Sequence, residues 1–236
     1  MDQANTHATA RLQFALTSKG SVQRLRTRRL FFKHFNYALF IPEENRGVLA
    51  VLAGQGLSGM ISELERLSAL GSAWASSTLG YLSLLPSSRG ERNPKRAIEL
   101  CANAAADGYP YALFVIGWAQ YLLTRDRVKA AKPMLLSCRK QFVPAALAMA
   151  FFVWPADTEM AVRFIDTAAR HGHKAAWAFR CGFFKTGRLG TVRQIVGYLL
   201  TPLARLRYAI GIWTSPFSES VLFLSLTDQR PAYRSR

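Results

Sequence analysis

Four histidines, three cysteines and 14 acidic side chains are the groups in this 236-residue chain that could carry acid–base, nucleophilic or metal chemistry. Their spacing assembles no site. Glu63 and Glu65 stand two apart, which on a helix turns them to different sides and denies them the role of a paired acid and base. His171 and His173 flank Gly172; two close imidazoles suit a metal, but the neighbouring sequence supplies no further ligands, so placement at a helix end near its negative dipole is expected instead. Cys101, Cys138 and Cys181 form no Cys-x-x-Cys pair, which points away from zinc and from a disulfide framework and toward a reducing compartment. The run Gly54-Gln55-Gly56-Leu57-Ser58-Gly59 has the glycines of a phosphate loop without a preceding strand, and reads as a helix-to-helix turn. Neither a Gly-x-Ser-x-Gly elbow nor a Gly-x-x-x-x-Gly-Lys loop occurs. The expectation is therefore no catalytic residue, no cofactor and no metal.

Binding chemistry is better represented. Lysine and arginine number 31 against 14 acids, a net charge of +17, and the resulting field attracts phosphate, anionic lipid or acidic protein. Before Glu43 the only acid is Asp2, while Arg24, Arg26, Arg28 and Arg29 crowd together with Phe31, Phe32, Phe35 and Tyr37 just beyond. A second acid-free stretch, Thr167 to Ser218, holds Arg193, Arg205 and Arg207. These seven arginines are the candidate anionic-surface residues. Arginines followed by rings serve RNA, where bases stack, or membrane, where rings enter the interface, or simply a basic arm that leads into a first helix. The brief apolar stretch Phe35 to Ile41, ending in Pro42-Glu43-Glu44, is no secretory signal, whereas the Arg-rich, acid-poor start has the composition of a mitochondrial transit peptide. A cytoplasmic protein, peripheral on the inner membrane, is expected, with a mitochondrial one as the alternative.

The elements that would hold such groups show a period. Ala75, Ala112, Ala145 and Ala176 recur at intervals of 37, 33 and 31 residues, each followed five residues later by Gly80, Gly117, Ala150 or Cys181. A second series runs between them: Ala97, Ala130 and Ala161, then the small pairs Ala104-Ala105, Ser137-Cys138 and Ala168-Ala169, then Gly108, Gln141 and Gly172. Each unit reads as two helices. Segments 74–85, 110–124, 144–154 and 174–186 are apolar almost all round, which suits burial between neighbours; 94–107, 127–140 and 157–171 are more amphipathic. Pro94 and Pro133 are placed at or near helix starts, and Gly108 and Gly172 after helix ends. Small residues at fixed positions let the pairs nest and share a continuous core, and they account for Cys138 and Cys181 by size.

Ala75-x-x-x-Leu79-Gly80, Arg96-Ala97, Ala104-Ala105 and Gly108 resemble the Sel1-like subclass of tetratricopeptide-type repeats. Residues 57–187 carry the resemblance, repeated at Ala112 to Gly117, Lys129-Ala130 and Ala168-Ala169 with Gly172. In the middle copy Pro133 replaces the usual aromatic, which Phe164 keeps, and Gln141 replaces the glycine. The resemblance implies an all-α, right-handed solenoid that acts as a non-catalytic protein-interaction scaffold, in bacterial signalling, secretion or envelope-polysaccharide systems or in quality control. Its partners would be proteins, with an anionic membrane surface as a second contact and nucleic acid as the alternative class. Tyr81, Tyr109, Tyr111, Trp118, Tyr121 and Trp177 are the candidate partner anchors in the groove, with the core as their other destination.

The chain accordingly divides into a basic arm with a first helix at 1–45, a repeat solenoid at 46–187 and an apolar, basic end at 188–236. Leu57 to Leu70, closed by Gly71, is expected to be the second helix of an earlier unit, with 47–55 as its partner. Around Tyr198 to Trp213, Pro202 and the arginines argue against a membrane span. Two roles remain there: a cap on the last repeat, or an interfacial segment with Tyr208 and Trp213 at the lipid boundary. Residues 217–226 have the composition of a strand without a partner.

Overall fold

The computed structural model describes residues 40–45, 47–85, 92–154, 156–187 and 189–214, with side chains to residue 210. The arm that holds Arg24, Arg26, Arg28 and Arg29, the side chain of Trp213 and the segment 217–226 lie outside the described residues. A short 3-10 turn at Glu43–Asn45 leads into nine helices among the described residues. They are α1 (Gly47–Ala69), α2 (Ala73–Leu84), α3 (Pro94–Ala106), α4 (Pro110–Thr124) and α5 (Arg127–Arg139). After them come α6 (Val143–Val153), α7 (Thr158–Arg170), α8 (Ala176–Lys185) and α9 (Thr191–Thr214). Each helix packs on the next, and α2 also packs on α4, so first helices of successive units lie side by side while second helices flank them. This is an α-solenoid.

Local chemistry sets the boundaries. Second helices start on a side-chain cap that satisfies an otherwise orphaned amide. Asn93 Oδ1 accepts from Arg96 N–H at 3.0 Å, Asp126 Oδ1 from Lys129 N–H at 3.0 Å, and Asp157 Oδ1 from Met160 N–H at 2.8 Å. They end on a left-handed residue with the same paired bonds each time. Tyr109 N–H reaches Ala104 O at 2.8 Å after Gly108 (φ 75°), and His173 N–H reaches Ala168 O at 2.9 Å after Gly172 (φ 84°). Ser72 N–H reaches Leu67 O at 3.0 Å after Gly71 (φ 86°), which makes the latter half of α1 the second helix of an earlier unit. Gly56 (φ 74°, ψ −163°) breaks α1 where the glycine run predicts a turn. By length and composition α1 could cross a membrane. That break, and the burial of Val48, Leu52, Met60 and Leu64, tie it to the core instead.

Gln141 fills the fourth of these positions at φ 63°, with Phe142 N–H on Ser137 O at 3.2 Å. The cap geometry thus survives the loss of glycine, at a steric cost of about 1–2 kcal/mol for a side chain in that region. Gln141→Gly should relieve it and give back part in backbone entropy, for a net gain of about 0.5–1 kcal/mol in urea unfolding. Pro133 departs from expectation in another way: it sits in the middle of α5, not near its start. There it lacks the N–H that would bond back one turn, so α5 forms despite its sequence, held by the tertiary packing of Ala130, Met134 and Ser137.

The second helices bury one register: Ala97, Cys101 and Ala104 in α3, Ala130, Met134 and Ser137 in α5, Ala161, Ile165 and Ala168 in α7. That spacing of four then three puts one stripe against the first helices. The small positions of the first helices meet that stripe. A Cβ on Gly80 would stand 2.5 Å from Cys101 Sγ and 3.2 Å from Ala97 O; one on Gly117 would stand 2.8 Å from Met134 Cε and 3.1 Å from Ala130 O. The two series of small residues are thus the two sides of one helix crossing. Buried residues run from Ile41 to Phe152 in one cluster, and α6 passes the core on to a second cluster reaching Ala176 and Tyr208.

Candidate functional site

The ionisable candidates are accounted for by local structure. Glu63 accepts two bonds from the Arg66 guanidinium at 2.8 and 2.9 Å, which hold its carboxyl below the usual range, while Glu65 lies 3.6 Å from Arg96. Burial pushes the Cys101 thiol up to about 12 and raises Cys138 and Cys181, so none is a ready thiolate at neutral pH. His171 caps α7, as its position predicts. His173 also stands at that helix end, its N–H closing the cap on Ala168 O, and it is buried there with Nδ1 accepting from Ala175 N–H at 3.2 Å. Among the described residues no three His, Cys, Asp or Glu side chains gather as a metal site would require.

Six aromatic side chains are expected to anchor a partner, and the structure separates them. Tyr81, Tyr111, Trp118 and Tyr121 are buried. Tyr111 meets Tyr81 and Phe142 at ring distances of 6.2 and 5.5 Å, Phe114 joins Phe142 to Trp118, and Trp118 lies tilted against Phe152 at 5.0 Å. These four side chains tie α2, α4 and α6 together and offer no surface to a partner in the folded chain. Tyr109 is half-buried. Phe40, from the stretch expected to form the N-terminal arm, covers the end of this ring series. Its ring lies edge-on to Tyr111 at 5.6 Å and to Phe142 at 6.0 Å, and its carbonyl accepts from Trp74 Nε1–H at 3.0 Å.

Trp177 is different: it stands on α8 with 37% of its surface exposed. Arg180 and Arg207 hold their guanidinium carbons 5.7 and 5.8 Å from its ring centroid, and Arg180 lies 3.2 Å from Asp166 in an ion pair. Its neighbour α9 packs on α8 through Gly197, where a Cβ would lie 2.8 Å from Phe184 Cβ and 2.9 Å from Cys181 O. Ala204 is buried on the same side. Tyr208, placed at a lipid boundary only in the interfacial of the two roles weighed for this segment, packs on the second core cluster, as a cap on the last repeat would, and burial raises its hydroxyl above the tyrosine range. Gly197 and Ala204, two small residues seven apart, were the sequence signal for this packing face. Arg193, Arg205 and Arg207 are exposed on α9.

No family model matches the sequence, and no curated protein matches it. Among solved structures, the crystal structure of a Sel1 repeat protein from Oxalobacter formigenes is similar, with a TM-score of 0.51 and 21% identity over 68% of this chain and 71% of that one. The fold is that of a Sel1-like repeat solenoid. In it the fixed small residues are contact points between helices, and among the described residues the most exposed aromatic side chains, Trp177 and Tyr198, stand on the last two helices, where Trp177 meets the arginines.

Proposed function

We propose that this chain is a non-catalytic interaction adaptor that takes a protein partner at the surface of Trp177, Arg180 and Arg207. The observation that carries this reading is the exposed indole with two guanidiniums against it. Tryptophan and arginine dominate the energetics of protein interfaces, because a rigid apolar ring and a planar cation bury area at small conformational cost. Asp166 keeps a carboxylate 3.2 Å from Arg180 beneath this surface. An acidic segment with an apolar or aromatic residue matches this chemistry. The stacked helices supply the rigid support beneath it.

The test is affinity capture with the full chain and with Trp177→Ala/Arg180→Ala, whose melting temperatures should agree within a few degrees because both side chains lie near the surface. A protein recovered by the wild type and reduced roughly tenfold or more by the double variant is the expected result, as for loss of an interface hot spot. Identical recovery by both would refute this site.

A further inference from the structure

Eight of the large apolar side chains most exposed to solvent belong to α9, more than to all the other described elements together. Six of them, Val192, Ile195, Leu199, Leu203, Leu206 and Ile210, fall within an arc of about 80° on a helix of 3.6 residues per turn. This stripe points away from Gly197, Ala204 and Tyr208, which face the solenoid. Exposed apolar surface of this extent marks a binding face.

Charge identifies what it binds. On the flanks of the stripe stand Arg193 and Arg207 to one side and Arg205 to the other, and no acid occurs between Thr167 and Ser218. A second copy docked stripe to stripe would bring six arginines together with no carboxylate on either helix. Residues 215–236 carry Arg230, Arg234 and Arg236 against Glu219 and Asp228, so folding them back would add positive charge to a positive face. An anionic bilayer satisfies both requirements, taking the leucines among its acyl chains and the arginines at its phosphates. The stripe lies along the helix axis while the opposite face is committed to α8, a geometry for lying in the interface and not for spanning it.

We infer that α9 lies in the plane of an anionic membrane with its outer face inserted, so that the solenoid is held at the lipid surface. This goes beyond the adaptor reading and stands on a different set of residues, apart from Arg207, which would be shared between headgroup and partner.

Flotation of the full chain with vesicles of phosphatidylcholine alone, and of phosphatidylcholine with phosphatidylglycerol, tests it at low and high salt. The mixed vesicles should bind at least about tenfold more protein, and salt should weaken that binding. Leu199→Ser/Leu203→Ser/Leu206→Ser should lower it by about tenfold or more, with circular dichroism and melting temperature unchanged because all three side chains face solvent. Arg193→Gln/Arg205→Gln/Arg207→Gln should lower it as well. Absence of wild-type binding overturns the proposal, and so does a serine variant that binds like the wild type, since the basic N-terminal arm would then be the anchor. A wild-type dimer that the serine variant dissociates would assign the face to a second copy, and protease cleavage within 215–236 gained by the variant would assign it to the chain's own end. Should the serine variant lose helical structure, brominated acyl chains decide: quenching of wild-type tryptophan fluorescence supports insertion, and no quenching refutes it.

Discussion

Trp118→Ala is expected to cost about 3–5 kcal/mol of folding stability, the range for deleting a buried aromatic ring from a core that cannot close over the gap. Trp118 is 2% exposed, and its ring contacts Phe114 and Tyr121 on its own helix and Phe151 and Phe152 on α6, at centroid distances between 5.0 and 6.5 Å. Removing it empties the contact between first helices of neighbouring units. For a chain of this length the loss corresponds to a melting temperature lower by roughly 6–20 °C. Among the described residues no acceptor meets the Trp118 Nε1–H, so the penalty is one of volume and not of a lost hydrogen bond. Trp118→Phe keeps most of the ring and removes that donor, and should cost less than about 1.5 kcal/mol. Thermal unfolding followed by circular dichroism separates the two variants; equal losses would contradict the cavity explanation.

Gly80→Leu attacks the other kind of contact, the crossing within one unit. With even a Cβ 2.5 Å from Cys101 Sγ and 3.2 Å from the Ala97 carbonyl oxygen, a leucine forces α2 and α3 apart and should cost about 3 kcal/mol or more. Sulfur is the nearest obstacle, so Gly80→Ala should be partly rescued by Cys101→Ala. The double-mutant cycle should give a favourable coupling of about 0.5–3 kcal/mol, and zero coupling would mean that the helices do not cross there. The same cycle assigns Cys101 a packing role without reference to its reactivity.

Those alanines and glycines are also what made the fold readable in advance. A residue that must be small because a backbone passes close by stays small from unit to unit, as Gly80 and Gly117 do, and the fully buried Ala75, Ala112, Ala145 and Ala176 report the same period. Helix ends were readable too, since Gly108 and Gly172 occupy a backbone region that other residues enter at a cost. Pro133 was misplaced because local propensity argues against a proline in mid-helix, and only packing across to the first helices outweighs it. The site was harder to read. In α4 apolar residues surround the helix, so no periodicity tells whether Tyr111 and Trp118 face a core or a groove. That is decided by Phe40, far upstream, and by Phe142, Phe151 and Phe152. For Tyr208 both a cap and an interfacial role stayed open because α9 is apolar on two faces, and the small residues Gly197 and Ala204 mark the one that packs.

Both proposals about binding depend on the first helices forming the interior layer of the stack, since this hides their aromatic side chains and leaves α9 with the largest group of exposed apolar side chains among the described residues. Hydrogen exchange of the full chain, read by mass spectrometry, addresses that layer directly. Amides of α4 and α6, buried on nearly every side, should exchange slowest, those of α3, α5 and α7 faster along their outer faces, and those of α9 faster still. Exchange in α4 and α6 as fast as in α3 and α5 would contradict the account, because the aromatic side chains of α4 would then be open to a partner after all.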